Sequence, residues 1–192
     1  MISRRYCIAL LTVLAVLLVP LRVQGLYLAD GYGEHRAHVG LKLFRTLISS
    51  DLGLQDKLNE QQDLVLYLTY ASSDEDAQLY LQVLQDSFNL PQSLNARIEI
   101  IPLQELLALP ARQIGGVFIT QQLNEDELSA LVEKSIAQSF VLFSPFEGDV
   151  EQGVLGGLSV QATVRPYINM HSLKKSGLQI KSFYLKVALK YE

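Results

Sequence analysis

Apolar positions along the chain fall into runs of two different periods. From Ala37 to Ser49, Val39, Leu43 and Leu47 recur every four residues with Phe44 and Ile48 beside them, which predicts an amphipathic helix. Gly40 on that stripe would let a neighbour approach closely. The preceding "LYLADGYGEH" has no period and carries Gly and Asp, so it reads as a short lead-in. "DLVLYLTYA", Asp63 to Ala71, is apolar on both parities and rich in Val, Tyr and Thr, as a strand buried on both faces of a parallel sheet requires. It is the candidate central strand.

The alternation then repeats. Ser72 and Glu75 offer a capping box for a helix whose buried face is Ala77, Leu81, Leu84 and Phe88. "ARIEIIP" predicts a second strand, with Pro102 opening the short helix "LQELLAL". "GGVFIT" predicts a third. Leu123, Asn124, Glu127 and Leu128 then supply staple, N-cap, reciprocal partner and staple contact for a helix through Ile136, and "SFVLFS" is a fourth strand. Four strand-then-helix repeats predict a three-layer α/β fold, a mostly parallel sheet flanked by helices.

After Pro145 the pattern changes. "FEGDVEQGVLGG" is a glycine-bearing loop, and "LSVQATVRPYIN" is extended, with Leu158, Val160, Ala162 and Val164 on one parity. Pro166 cannot donate to a ladder, which assigns this segment to a sheet edge. Gly153, Gly156 and Gly157 are read as permitting a bend or bulge. Two short helices are expected to close the chain: Met170 to Lys175, capped by Asn169 and stopped by Gly177, then Phe183 to Tyr191, capped by Ser182.

Composition adds an address. Met1 to Gly25 reads as a secretory signal, with Arg4 and Arg5 before an apolar run from Tyr6 to Val19 and a small-residue cleavage site at Val23-Gln24-Gly25. The run is shorter than the roughly 20 residues that span a bilayer, which weighs against the rival reading of an anchor. Residues 26–192 are expected to form a single α/β domain in the periplasm. Cys7 is the only cysteine, so the expected mature chain has no thiol for disulfides, nucleophilic catalysis or metal binding. It would carry 13 basic and 20 acidic residues, a net charge of about -7 that makes nucleic acid an improbable partner. The distribution is uneven. Arg165, Lys174, Lys175, Lys181, Lys186 and Lys190 against Glu192 give +5 over the last 28 residues and leave -12 over Leu26 to Val164. Lys181, Lys186 and Lys190, five and four apart, are expected on one side of the last helix, and with Lys174 and Lys175 they make a candidate basic interaction face.

No constellation assembles chemistry. His35 and His38 beside Glu34 could share a helix face, but the pattern lacks the Glu between helical His pairs of zinc peptidases, and a solvated helix start is the plainer reading. "GLSVQ" around Ser159 is not a nucleophile elbow. The glycines after Gly148 do not form a phosphate loop, and the acidic starts "SSDEDA" and "NEDEL" complement helix dipoles without a calcium-loop pattern. A non-enzyme without metal or cofactor is expected.

The C-terminal half nonetheless resembles a known family. Phe143, Ser144, Gly148, a turn with Gly153, Gly156 and Gly157, the pair Ile168-Asn169, and "LKKSGLQIKSFYLKVA" are similar to the YfiR/HmsC-like periplasmic proteins from Ser139 to Tyr191. "KLFRTLISSD" is loosely similar to that family's early helix. The resemblance implies a noncatalytic periplasmic α/β protein, often a homodimer, which represses an inner-membrane diguanylate cyclase by binding its periplasmic part and so lowers cyclic-di-GMP and biofilm formation. Several regulatory members carry disulfides, whereas this chain has no cysteine after the leader. The alternative is a solute-binding module serving a transporter, using the crevice beyond the carboxyl ends of the strands.

Overall fold

The computed structural model describes residues 23–87, 95–110 and 114–192. Most of the expected leader and Phe88 lie outside them. The chain divides into two compact units, Met1–Arg36 and Ala37–Glu192, the second of which carries the sheet.

Helix α1 spans Val23–Ser50, so the residues read as a lead-in are helical, and their Gly and Asp do not interrupt the run. After a 3-10 turn, Leu54–Lys57, come β1 (Asp63–Tyr70), α2 (Glu75–Ser87), β2 (Asn95–Pro102), α3 (Leu103–Ala108), β3 (Gly116–Ile119), α4 (Glu125–Gln138) and β4 (Val141–Phe143). The chain ends with β5 (Gly156–Val160), β6 (Val164–Asn169), α5 (Met170–Ser176), α6 (Ser182–Val187) and β7 (Leu189–Tyr191). None of the described helices is long and apolar enough to cross a membrane.

The seven strands form one sheet in the order β2-β1-β3-β4-β5-β6-β7. The first five strands in that order run parallel to one another, β6 is antiparallel to β5, and β7 is parallel to β6. Alternate residues of β1 divide between two cores, as a doubly covered strand must. Leu64, Leu66 and Leu68 pack with α1 and α2, while Val65 and Tyr67 pack with α3 and α4. Phe44, Phe118 and Phe143 meet in the first core, Phe118 lying 5.6 Å by ring centroid from each of the others.

Three local expectations are corrected by packing. Ser72 does not cap α2, because its Oγ donates to Gln121 Oε1 and the Glu75 amide is met by Ser73 Oγ. Gly156 and Gly157 do not bend the chain. They lie within β5, where a Cβ would stand 2.4 Å from Leu47 Cδ2 and 2.5 Å from Val150 Cγ2, so close approach selects them. The last helix stops at Val187 and β7 follows, since Tyr167, Ile168 and Asn169 offer an unpaired ladder edge to Leu189–Tyr191.

Candidate functional site

The strand order locates the natural crevice. Chain connections diverge at β1 and β3, with β2 on one side and β4 on the other, and ligands of open α/β sheets sit beyond the carboxyl ends of strands at such a switch point. Here that edge carries hydroxyls and an amide. Thr69 Oγ1 donates to the Ile101 carbonyl at 3.2 Å, and Thr120 Oγ1 donates to the Thr69 carbonyl at 2.8 Å, tying β2, β1 and β3 together at their ends. Gln121 bridges the two diverging loops: its Oε1 accepts from Ser72 Oγ at 2.5 Å and from the Ser72 amide at 3.2 Å, and its Nε2 donates to the Ser73 carbonyl at 2.8 Å. Ser72 and Ser73 are exposed, so their remaining hydrogen-bonding capacity faces solvent.

Charge narrows what this crevice suits. The helix that leaves β1 starts with Glu75 and Asp76, and the one that leaves β3 starts with Glu125, Asp126 and Glu127. Those carboxylates already complement the positive helix ends, so a free anion would meet repulsion where a bare helix start would attract it. A neutral or cationic polar solute fits better. Farther along the same edge, buried Ser144 Oγ donates to buried Asp149 Oδ2 and accepts from the Phe146 amide at 3.1 Å, which fixes the loop after β4. Sequence reasoning missed Gln121 and Asp149 because each works through a partner that only the fold supplies.

A concavity of about 490 Å³ opens at the opposite, amino edge. It lies among the ends of α1, α4 and α5, with Asp51, Lys57, Gln138 and Gly177 in its wall. Asp51 accepts from the Gly53 amide at 2.9 Å and forms an ion pair with Lys57. Burial lowers the Lys57 ammonium from its ordinary range, and Asp51 opposes that shift. This concavity is away from the crevice, and its principal charges already satisfy each other.

The residues singled out from sequence prove structural or scattered. Asn169 caps α5 as expected, its Oδ1 accepting from the Ser172 amide at 2.9 Å. Its Nδ2 also donates to the Val150 carbonyl at 2.7 Å, and Ser172 Oγ donates to the Gly153 carbonyl at 2.7 Å, so Asn169 and Gly153 belong to one buried joint. Gly177 ends α5 at φ 69°, a left-handed position that suits glycine. The basic face is redistributed. Lys174 and Lys175 are exposed on α5, Lys181 precedes α6 with its Nζ on the Ser49 carbonyl, Lys186 is on α6 and Lys190 on β7, so the last three do not share a helix. His35 is exposed and His38 half-buried, and among the described residues no three His, Cys, Asp or Glu converge as a metal set.

No family model and no curated protein matches this chain. Among solved structures it is similar to a ligand-free, open substrate-binding protein with adhesive properties from Clostridium difficile, at 12% identity and TM-score 0.53, covering 80% of this chain and 59% of that one. It is also similar to an ABC domain in complex with L-Trp from Streptococcus pneumonia, at 11% identity and TM-score 0.47, covering 75% of this chain and 61% of that one. The chain thus spans about three fifths of either structure. What the Clostridium difficile structure shares with it is the α/β fold, helices on both faces of a mostly parallel sheet.

Proposed function

We propose that this protein is a noncatalytic binding module of the exported compartment, one lobe that takes a small polar, neutral or cationic solute beyond the carboxyl ends of β1 and β3. The observation that carries this reading is the Gln121 bridge across the switch point, which holds Ser72 and Ser73 at the mouth of the crevice. A likeness in fold to a substrate-binding protein supports it. Hydroxyls and an amide offer recognition, not a nucleophile held against a base. Binding to the native state must raise stability, by about 2.7 kcal/mol when solute is at a hundred times its dissociation constant. A thermal-shift panel of amino acids, short peptides and polyamines is therefore expected to give a saturable rise with one class and none with simple anions. A flat response across the panel would refute the reading.

A second reading, repression of an inner-membrane diguanylate cyclase as in the YfiR/HmsC-like proteins, rests on the resemblance in sequence from Ser139 to Tyr191. Asn169 and Gly153, two of the residues that carry the resemblance, are joined through Ser172, whose amide donates to Asn169 Oδ1 and whose Oγ donates to the Gly153 carbonyl. Deleting the gene is expected to raise cyclic-di-GMP and surface attachment, with a cyclase recovered on the tagged protein. Unchanged levels and no recovered cyclase would remove this reading and leave the first untouched.

A further inference from the structure

The end of the β5–β6 hairpin and the outer side of α6 carry an apolar patch that neither reading uses. Phe183 and Val187, 55% and 53% exposed, are four apart on α6 and so share its outer side. Val160 and Val164, both 39% exposed, stand opposite each other in the β5–β6 register. Arg165 Nη2 donates to the Val187 carbonyl at 3.0 Å, which joins the hairpin to the end of α6. Val160 and Val164 lie toward the face of the sheet on which α6 packs. Val160 and Val164 share parity with buried Leu158 and Ile168, and Ile168 belongs to the same core as Tyr184 of α6. Gly156, at the hairpin's base, is level with Phe143, the last residue of β4, so the tip projects past the body of the sheet.

Charge selects the occupant. Exposed Lys186, three residues from Phe183 on α6, borders this patch, and exposed Lys190 follows on β7; both lie in a segment of net +5, while the rest of the expected mature chain is strongly acidic. A second copy docked by the same patch would set lysine against lysine. Protein interfaces enrich arginine and deplete lysine, yet the border here is lysine, and its one arginine is spent on Val187. Lysine stems bury along apolar surface while their ammonium groups reach outward, the arrangement that seats a protein on anionic headgroups.

We propose that the hairpin tip and α6 form a peripheral docking surface for an anionic lipid bilayer, with Phe183 and Val187 entering the interface and Lys186 and Lys190 over the headgroups. This surface is independent of the crevice. Its test is cosedimentation of the full chain with vesicles of phosphatidylcholine alone or of equimolar phosphatidylcholine and phosphatidylglycerol. The protein is expected to follow the anionic vesicles more strongly and to be released by salt. Phe183→Ala should weaken that binding roughly tenfold, and each of Lys186→Gln and Lys190→Gln about fivefold. All arms share the same full-length background, so an apolar leader contributes equally to each. These side chains are exposed, and unchanged unfolding midpoints would confirm intact variants. Equal binding to both vesicle types, no binding to either, or variants that bind like the parent would overturn the proposal. The last two outcomes would leave an acidic protein surface as the rival occupant.

Discussion

Two buried side chains show how differently a polar group can sit in this protein. Asn169 is fully used, with its carbonyl oxygen on the Ser172 amide and its amide nitrogen on the Val150 carbonyl. Asn169→Ala removes a cap and strands the Ser172 amide, while the Val150 carbonyl keeps the Gly153 amide, so a loss of roughly 2 kcal/mol is expected in the urea unfolding free energy. Tyr184 is the opposite case: its ring is wholly buried and its hydroxyl has no partner among the described residues. Burial pushes that phenol well above its ordinary 10.0. An unfolded chain releases the proton near pH 10 while the folded chain keeps it, so stability falls as pH rises past 10, by up to about 1.4 kcal/mol per unit for this group. Tyr184→Phe is expected to gain about 1 kcal/mol at neutral pH and to flatten the alkaline fall, both read from urea midpoints across pH. The sequence places both residues in helical contexts and makes the cap bond of Asn169 legible, but the partner of its Nδ2, Val150, lies 19 residues away and is supplied only by the fold.

Elements whose signals are local were legible, and those whose boundaries depend on a neighbour were not. The capping box at α4 forms as its sequence states: Asn124 Oδ1 accepts from the Glu127 amide at 2.9 Å, and Glu127 Oε2 accepts from the Asn124 amide at 3.1 Å. Asn124→Ala is expected to cost about 1 kcal/mol in thermal or urea unfolding, without change in the sheet's circular dichroism. By contrast, Ser72 and Glu75 have the same spacing, yet Gln121, distant in sequence, captures the serine. Leu189 to Tyr191 keep a helical apolar period, but an open ladder on β6 gives their backbone groups better partners than one more turn of a six-residue helix. That exchange moved Lys190 off the helix and dispersed a face that spacing alone had drawn together. The hairpin has the same lesson: one extended segment in the pattern becomes two strands, because Gln161 and Thr163 bond across the turn between them.

At the scale of the whole molecule, function depends on where the chain reverses its order in the sheet. Gln121 belongs to no motif in the sequence, and it acquires a role only because β1 and β3 are neighbours with diverging connections. Gln121→Ala is expected to cost about 1 kcal/mol or less in stability while abolishing the thermal shift of whichever solute stabilises the parent. Loss of the shift without loss of fold would distinguish a binding residue from a structural tie. What the sequence determined by itself was the material of the fold: a doubly apolar central strand, amphipathic helices at short spacing, a well-capped α4, an Asn and a Gly that bound α5, and a basic end on an acidic chain. These follow from period, cap chemistry and charge, which act over a few residues. Strand order, the bridge at the crevice, the close approaches that select Gly156 and Gly157, and the final strand were decided only in the tertiary structure. Each requires groups far apart in the chain to meet, and the energy that favours it exists only once they do.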